Sequence, residues 1–377
     1  MYILVVNAGS SSVKYSLFSL HQNTEQVIAQ GLIEKIGEKK SLFSSHEKAF
    51  LHMFKTIEKI FSLSHIDAVG HRIVHGGPNF YQPTLLTANV VKQLHTFDEL
   101  APLHNPFNLL GVALCKNKMR CPHYGVFDTG FHHTLPLKAK VYAIPYKYTQ
   151  KDNIQRYGFH GISHHFVSLQ AAKLLQKPIT QLNIITCHLG NGASLCAIEK
   201  GASVETSMGF TPLEGLVMGT RCGDLDPDIV AYLMQKEKLS RKEIFHLLER
   251  ESGLKGISGV NDMRDIISRM KKGNKRAKLA FDIFCHRIIK YLGAYIAVLN
   301  GTDCIVFTAG IGEHSAVVRH EILSHFAYLG IIIDAKQNAH NQLLISSSKS
   351  KIPVFVIPTN EALMIAQQVK EKIDKKR

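Results

Sequence analysis

MYILVVNAGSSSVKYSLF, residues 1–18, reads as an apolar strand from Tyr2 to Val6, a turn of small residues, NAGSSS at 7–12, and a second alternating strand from Val13 to Phe18. Such a turn leaves backbone N–H groups and hydroxyls, those of Ser10 and Ser12 among them, free of side-chain bulk, the chemistry that holds phosphate oxygens. Asn7 adds an amide oxygen at the strand's end, a donor suited to Mg²⁺ or its water shell. The same residue types also build ordinary hairpin tips. The rest of the chain has to separate the two readings.

The second half repeats the opening theme. NIITCHLGNGASLCAIEKGASVET, 183–206, is again strand, glycine-rich turn, strand, turn, strand, alike in organisation rather than identity. At 377 residues the chain exceeds what one compact core usually serves, so two domains are expected. An internal duplication would give each half one phosphate-binding hairpin, presented to a shared central cleft. The texture changes near Phe131 to a Pro- and Tyr-containing loop. The expected division is therefore an N-terminal domain over 1–131, completed by a C-terminal helix at about 364–377, and a nucleotide-binding domain over 132–363. Further strands are expected near 27–33, 66–71, 123–127 and 305–307. Helices are expected near 46–61, 88–100, after Pro106, at 227–236, 240–250, 274–299 and from about 360. The 274–299 segment is apolar around much of its circumference, which predicts burial at a domain or subunit contact.

Composition narrows the class. The chain is 45% hydrophobic and 20% charged, ordinary values for a globular protein. No run reaches the roughly 18 uncharged apolar residues of a membrane span. Met1 to Val6 has no basic leader and breaks at Asn7, so no signal peptide is expected and a cytoplasmic location is. Seven dispersed cysteines without a Cys-x-x-Cys pair argue against a disulfide framework or zinc ribbon. A net charge of +15 favours anionic partners. Its densest runs, Lys271 to Lys278 and Lys370 to Arg377, lack interleaved aromatics, and no specific nucleic-acid partner is expected.

TAGIGE at 308–313 is a third glycine-bearing turn after an apolar strand. None of the three carries the Lys-Ser/Thr of a P-loop, and no ribose-binding acid follows Gly312 in a recognisable βαβ unit. Together they suggest a triphosphate and adenosine clamped from both sides. Arg72, in HRIVHGGP, and Arg221, in MGTRCGDLDP, offer planar forks for phosphoryl oxygens. Arg221 could equally form a surface ion pair with Asp224 or Asp226. His160, in YGFHGISHH, can donate to a transferring phosphoryl group, or serve as a hydrogen-bonded loop histidine. With His164 it makes no metal set, since a third ligand is not recognisable. Asp128, in FDTGFHH, stands at a strand's C-terminal end, a usual place for functional groups in α/β sheets. Asp262 and Arg264, in VNDMRDI, fit a nucleotide site or a helix cap. Glu361, in PTNEALMI, fits a carboxylate beside Mg²⁺ or a first-turn acid.

Taken in order, NAGSSSVKY, HRIVHGG, LAPLHNP, FDTGFH, YGFHGISH, HLGNGAS, MGTRCGDLDP, NDMRD, FTAGIGEH and TNEALMI resemble the motifs of the acetate kinase (acetokinase) family. That family lies in the acetate and sugar kinase, heat-shock and actin-like superfamily, and the resemblance covers nearly the whole chain. Propionate kinases share most of these motifs. The resemblance implies a duplicated two-domain α/β fold, actin-like (ribonuclease H-like), with a central cleft. It implies reversible, direct in-line phosphoryl transfer from ATP to acetate, giving ADP and acetyl phosphate, and a homodimer.

For individual residues, the resemblance implies that Asn7 and Glu361 hold Mg²⁺, with Mn²⁺ as an alternative ion, and that Lys14 lies near the phosphates. His188, Leu189, Gly190, Asn191 and Gly192 should surround ATP together with Asp262, Met263, Arg264 and with Gly310, Ile311, Gly312, Glu313 and His314. Arg72 and Arg221 should grip the carboxylate and the migrating phosphoryl group, His160 stabilising the same charge. Val74, Leu103, Phe159 and Pro212 should wall an apolar pocket for the methyl group, and His104 and Asp128 complete the site. His314 stands where the family usually has Asn, Cys222 where it has Ser, and Ala362 where a second Glu often follows; the segment between Ile36 and Phe50 is short.

A carboxylic acid with a pKa of about 4–5 is already ionised at neutral pH, so the acceptor needs no general base. Catalysis should then be positioning and charge neutralisation. On this argument Asp128 orients an arginine or a bound water, although the family is often described with a proton-transfer role there. Two alternatives remain. A propionate or other short-chain acyl kinase would differ only in the apolar pocket. A non-enzymatic actin-like nucleotide-binding protein would have no use for Arg72, His160 and Arg221 together.

Overall fold

The computed structural model describes residues 1–21, 24–38, 41–102 and 104–375. The chain divides into two compact units. One comprises Met1–His133, Gly161–Ser163 and the described stretch from Asn360; the other comprises Thr134–His160 and His164–Thr359.

In the first unit β1 (Tyr2–Ala8), β2 (Val13–His21) and β3 (Thr24–Ile33) form an antiparallel meander. β4 (Ala68–Ile73) runs parallel to β1; β5 (Thr84–Leu85) and β6 (His123–Phe127) follow, β6 parallel to β4. The spatial order is β3-β2-β1-β4-β6-β5. The helix His46–Glu58 opens on Ser45, whose hydroxyl accepts from the Lys48 N–H, and turns Ala49, Phe50, Met53, Phe54 and Ile57 inward. Those residues share a core with Leu4, Val6, Val13, Leu17 and Val69. The C-terminal helix Glu361–Asp374 packs on β1, β2 and β4. It approaches so closely that a Cβ on Gly70 would stand 2.7 Å from the Ile365 side chain.

The second unit repeats this plan. β7 (Asn183–Leu189), β8 (Ala193–Glu199) and β9 (Ala202–Thr206) form a meander. β10 (Cys304–Thr308) and β11 (Val354–Val356) extend it in parallel, in the order β11-β10-β7-β8-β9. The two five-strand series β3-β2-β1-β4-β6 and β9-β8-β7-β10-β11 therefore match in order and strand sense, the duplication expected from the two hairpins.

One helix was absent from the sequence expectation, and another leaves part of its apolar surface exposed. Gly161–Leu174 was hidden because it is apolar or buried around most of its circumference and shows no stripe. Lys275–Val298, expected to be buried at a domain or subunit contact, turns one stripe of Ala277, Phe281, Phe284, Ile288, Leu292 and Tyr295 inward. Its Leu279 and Val298 are 51% and 54% exposed. Among the described residues no helix is long and apolar enough to cross a membrane.

Candidate active site

In the first unit, Asn7 and Lys14 are cross-strand partners at the β1–β2 turn, so both side chains leave the same face. The turn is closed by the Gly9 N–H donating to Ser12 O at 2.8 Å, with Ser10 exposed and Ser12 partly so. Its carbonyl at Gly9 is held by His46 Nε2 at 2.8 Å, the ring stacked on Phe107.

Beside it, the helix Asn105–Lys118 clamps two strand ends. Asn108 donates to Ala8 O at 2.7 Å and accepts from the Val74 N–H at 3.0 Å. Asn105 makes two 3.0 Å bonds with the backbone of His75. Both asparagines are buried, so the ends of β1 and β4 are fixed relative to one another. Neither was anticipated as part of the site. The only signal was two asparagines three apart in NPFN, which places them on one helix face.

β4 delivers Arg72 and β6 delivers Asp128. Arg72 donates Nε to Asp128 Oδ1 at 2.9 Å and Nη2 to Oδ2 at 2.6 Å, a two-point fork. Its Nη1 lies 3.4 Å from Glu361 Oε2. Burial works against the guanidinium charge, but Asp128 first and Glu361 second more than offset it, holding the arginine above its ordinary value. Asp128 is 2% exposed. Its N–H donates to Ile73 O at 3.0 Å and its carbonyl accepts from the Gly161 N–H at 2.9 Å. A Cβ on Gly161 would stand 2.3 Å from that carbonyl, so only glycine fits. Glu361 is also the first helical residue after the Asn360 cap, so the helix-start reading and the proximity to Arg72 both hold. Val74 is buried and His104 partly buried. Leu103 lies outside the described residues.

In the second unit, His160 has left-handed dihedrals, φ 56 and ψ 19, at the head of the helix Gly161–Leu174. Its Nδ1 and the Nε2 of His164 meet the Ser194 hydroxyl at 2.9 and 2.8 Å. The His160 ring stacks on His188 with centroids 4.1 Å apart. The β7–β8 turn stands against this stack. A Cβ on Gly192 would lie 3.3 Å from His160 Nε2 and 3.6 Å from Arg221 Nη1. Both side chains thus lie beside Gly192 at the hairpin tip.

Arg221 Nη1 donates to Pro212 O at 3.3 Å. Burial lowers its pKa, outweighing the attraction of Glu249, with Arg250 adding to the lowering. The two acids considered as its surface partners are engaged elsewhere. Asp224 lies 3.2 Å from Arg287 and accepts from the Tyr291 hydroxyl and the Gly215 N–H. Asp226 caps the helix Pro227–Lys236. Phe159 and Pro212 are both buried.

A cavity of about 880 Å³ in the same unit is lined by Gly190, Asn191, Asp262, Met263, Arg264, Gly310, Ile311 and His314. Asp262 is the N-cap of the helix Met263–Lys271 as well as a wall of this cavity. Its hydrogen bond from Arg264 brings its carboxyl down to about 2. Other members of the expected nucleotide set face the framework. His188 and Leu189 are buried strand residues, and a Cβ on Gly312 would stand 3.5 Å from Cys187 O. Ala309–His314, expected as a glycine-bearing turn, is a short helix that begins directly after β10, and Glu313 Oε1 accepts from the Ala309 N–H at 2.8 Å and the Thr359 N–H at 3.2 Å at its start. Beneath it Arg319, fully buried, donates to Gly312 O at 2.7 Å and Glu313 O at 3.0 Å. Nothing in the sequence around Arg319 marked it, because its partners are backbone carbonyls and amide side chains.

A sequence profile described as the acetokinase family matches residues 2–367. The acetate kinase of Halothermothrix orenii is 48% identical over 97% of this chain and 98% of its own. Among solved structures, a propionate kinase from Francisella tularensis has a TM-score of 0.92 at 43% identity, covering 97% of this chain and 98% of its own. The acetate kinase of Porphyromonas gingivalis has a TM-score of 0.90 at 39% identity, covering 98% and 99%.

Proposed function

The chain belongs to the acetokinase family, and on that premise we propose how its residues carry out the reaction, reversible phosphoryl transfer from ATP to acetate giving ADP and acetyl phosphate. The fold is the duplicated actin-like α/β fold of the family. A nucleotide is one substrate. Its adenosine and phosphates are assigned to the 880 Å³ cavity and the β7–β8 turn, with Ser10, Ser12 and Lys14 at the β1–β2 turn also toward phosphate.

The acceptor carboxylate enters ionised, so no group has to remove a proton from it. Arg72, oriented by Asp128, binds the carboxylate; Arg221 and His160 face the migrating phosphoryl oxygens. Asp128 is assigned to orientation, because both its oxygens already accept from Arg72. Val74, Leu103, Phe159 and Pro212 are assigned to the methyl group, with His104 beside them. The observation that carries this reading is the convergence of His160 Nε2 and Arg221 Nη1 on one point at Gly192. An arginine and a histidine brought to one place suit a group whose equatorial oxygens carry charge during transfer.

Among the described residues no cluster of three or more His, Cys, Asp or Glu side chains could hold a metal. The donors present, the Asn7 amide oxygen and the Glu361 carboxylate, are hard oxygens. They fit Mg²⁺, which commonly keeps waters and shares substrate phosphate rather than occupying an all-protein cage. Bound there, Mg²⁺ (or Mn²⁺) would neutralise charge on the nucleotide phosphates. The enzyme is proposed to work in the cytoplasm as a homodimer.

A hydroxamate assay with ATP, hydroxylamine and acetate, propionate or butyrate tests the reading. Acetate is expected to give the highest kcat/KM. No acyl phosphate from any acid would overturn the assignment. Propionate as the best acceptor would favour the second reading, for which the Francisella tularensis relative supplies the reason.

A further inference from the structure

The segment 206–214 crosses the second unit between β9 and the Arg221 loop, and a polar cluster that the reaction does not itself use holds it. Arg156 Nη2 donates to Glu214 Oε1 at 2.6 Å. Its Nη1 fans over three successive carbonyls, Thr206 at 3.2 Å, Ser207 at 3.4 Å and Met208 at 3.1 Å. The other Glu214 oxygen accepts from the Tyr142 hydroxyl. That hydroxyl oxygen in turn accepts from the Phe210 N–H at 2.8 Å. A Cβ on Gly209 would stand 1.7 Å from Glu214 and 2.2 Å from the Tyr142 oxygen. The cluster therefore presses directly on the segment's backbone.

Three hydrogen bonds carry that placement outward. The Gly209 carbonyl accepts from the N–H groups of Tyr157 at 3.1 Å and Gly158 at 3.2 Å. Those residues lead straight into Phe159 and His160, and His160 is held in a left-handed conformation that its surroundings must impose. At the other end, Pro212 O accepts from Arg221. One buried-edge cluster thus sits behind both apolar wall residues, Phe159 and Pro212, and both phosphoryl-facing donors of this unit.

We propose that Tyr142, Arg156 and Glu214 are positioning residues that set the acyl-acceptor end of the site by fixing the 206–214 segment, and so help determine which acid is accepted. The inference rests on the reading that Phe159 and Pro212 face the acyl group. The full-length protein carrying Tyr142→Phe, Glu214→Gln, Arg156→Lys or Gly209→Ala is assayed with acetate, propionate and ATP, alongside thermal unfolding of each variant. Expected is a fall in kcat/KM for acetate of about 10- to 100-fold, as for a misplacement of the order of an ångström. The KM for ATP should stay within about twofold, and the propionate-to-acetate ratio of kcat/KM should move by about threefold or more. Arg156→Lys should not rescue, because an ammonium cannot span one carboxylate and three carbonyls. Tyr142→Phe removes a single oxygen and keeps the test decisive should a charge variant fail to fold. Unchanged acid selectivity in a folded Tyr142→Phe protein, or ATP and acetate constants rising together, would overturn the inference. Wild-type protein inactive with every acid would instead defeat the underlying acyl-site reading.

Discussion

Arg72 and Arg221 carry the same functional group in opposite surroundings. Arg72, on β4 of the first unit, is forked by Asp128 and approached by Glu361, and its protonated state is held above the ordinary value. Arg221, on a loop of the second unit, lies against a proline carbonyl, and burial lowers its value. The first arginine has its charge matched and its direction set before any ligand arrives. For the second, burial works against the charged form, which the phosphoryl oxygens of the proposed reaction would favour.

The largest expected effect follows from that contrast. Arg221→Ala should lower kcat by about 10²- to 10⁴-fold with little change in melting temperature. Arg72→Ala should behave differently, because it leaves the 2%-exposed Asp128 buried without its fork. Chemical denaturation should show a loss of about 3–5 kcal/mol, in addition to reduced activity. A larger stability loss in the Arg221 variant would break the comparison.

Asp128→Asn sharpens it. If Asp128 only orients Arg72, kcat/KM for acetate should fall about 10- to 100-fold, while the pH–rate profile keeps its shape. Disappearance of one limb of that profile would return proton transfer to Asp128.

The first unit should also be sensitive to acid. There His123 Nε2 donates to Met119 O at 3.2 Å, so its Nδ1 accepts from His71 Nε2–H at 2.9 Å. Burial is the main cause that pushes His71 far down, with His123 and Lys116 adding to it; burial likewise lowers His123. Both fold neutral, and the unfolded chain takes up their protons first. Their stability is therefore complete above an unfolded value of about 6.5 and is lost as pH falls below it, with a slope of up to about 1.4 kcal/mol per pH unit for each ring. Unfolding followed between pH 7 and pH 5 should show this slope, and the double variant His71→Leu with His123→Leu should flatten it.

The smallest effect belongs to the proposed nucleotide wall. The Arg264 side chain is 91% exposed, so its pair with Asp262 is worth little in water. Arg264→Ala should raise the KM for ATP by about two- to threefold and leave kcat alone. A kcat loss matching that of Arg221→Ala would mean that the cavity assignment is misplaced.

Much of the fold was legible where one local rule dominates. The hairpins were legible because a period of two meets a turn of small residues, and the expected helices near 46–61 and 227–236 because a side-chain cap precedes an apolar stripe. Gly161–Leu174 was not, since a helix buried on most sides has no stripe to read. The site followed the same division. Arg72, Asp128, His160 and Arg221 stood out as charged or polar residues in glycine-bearing loops. Asn105 and Asn108 did not, because their partners are backbone carbonyls and N–H groups, which every residue possesses; Arg319 and Glu214 did not, because their side-chain partners, Asn338 and Asn341 for the one and Arg156 and Tyr142 for the other, lie far along the chain.

From the sequence alone came the duplicated plan, the family and the candidate reactive residue types, because strand period, turn chemistry and ordered motifs are local properties. The tertiary structure decided which charge meets which. Asp128 reaches Arg72 across 56 residues, while Asp224, three residues from Arg221, lies against Arg287. Pairing energy depends on distance and burial in space, and neither is written in chain separation.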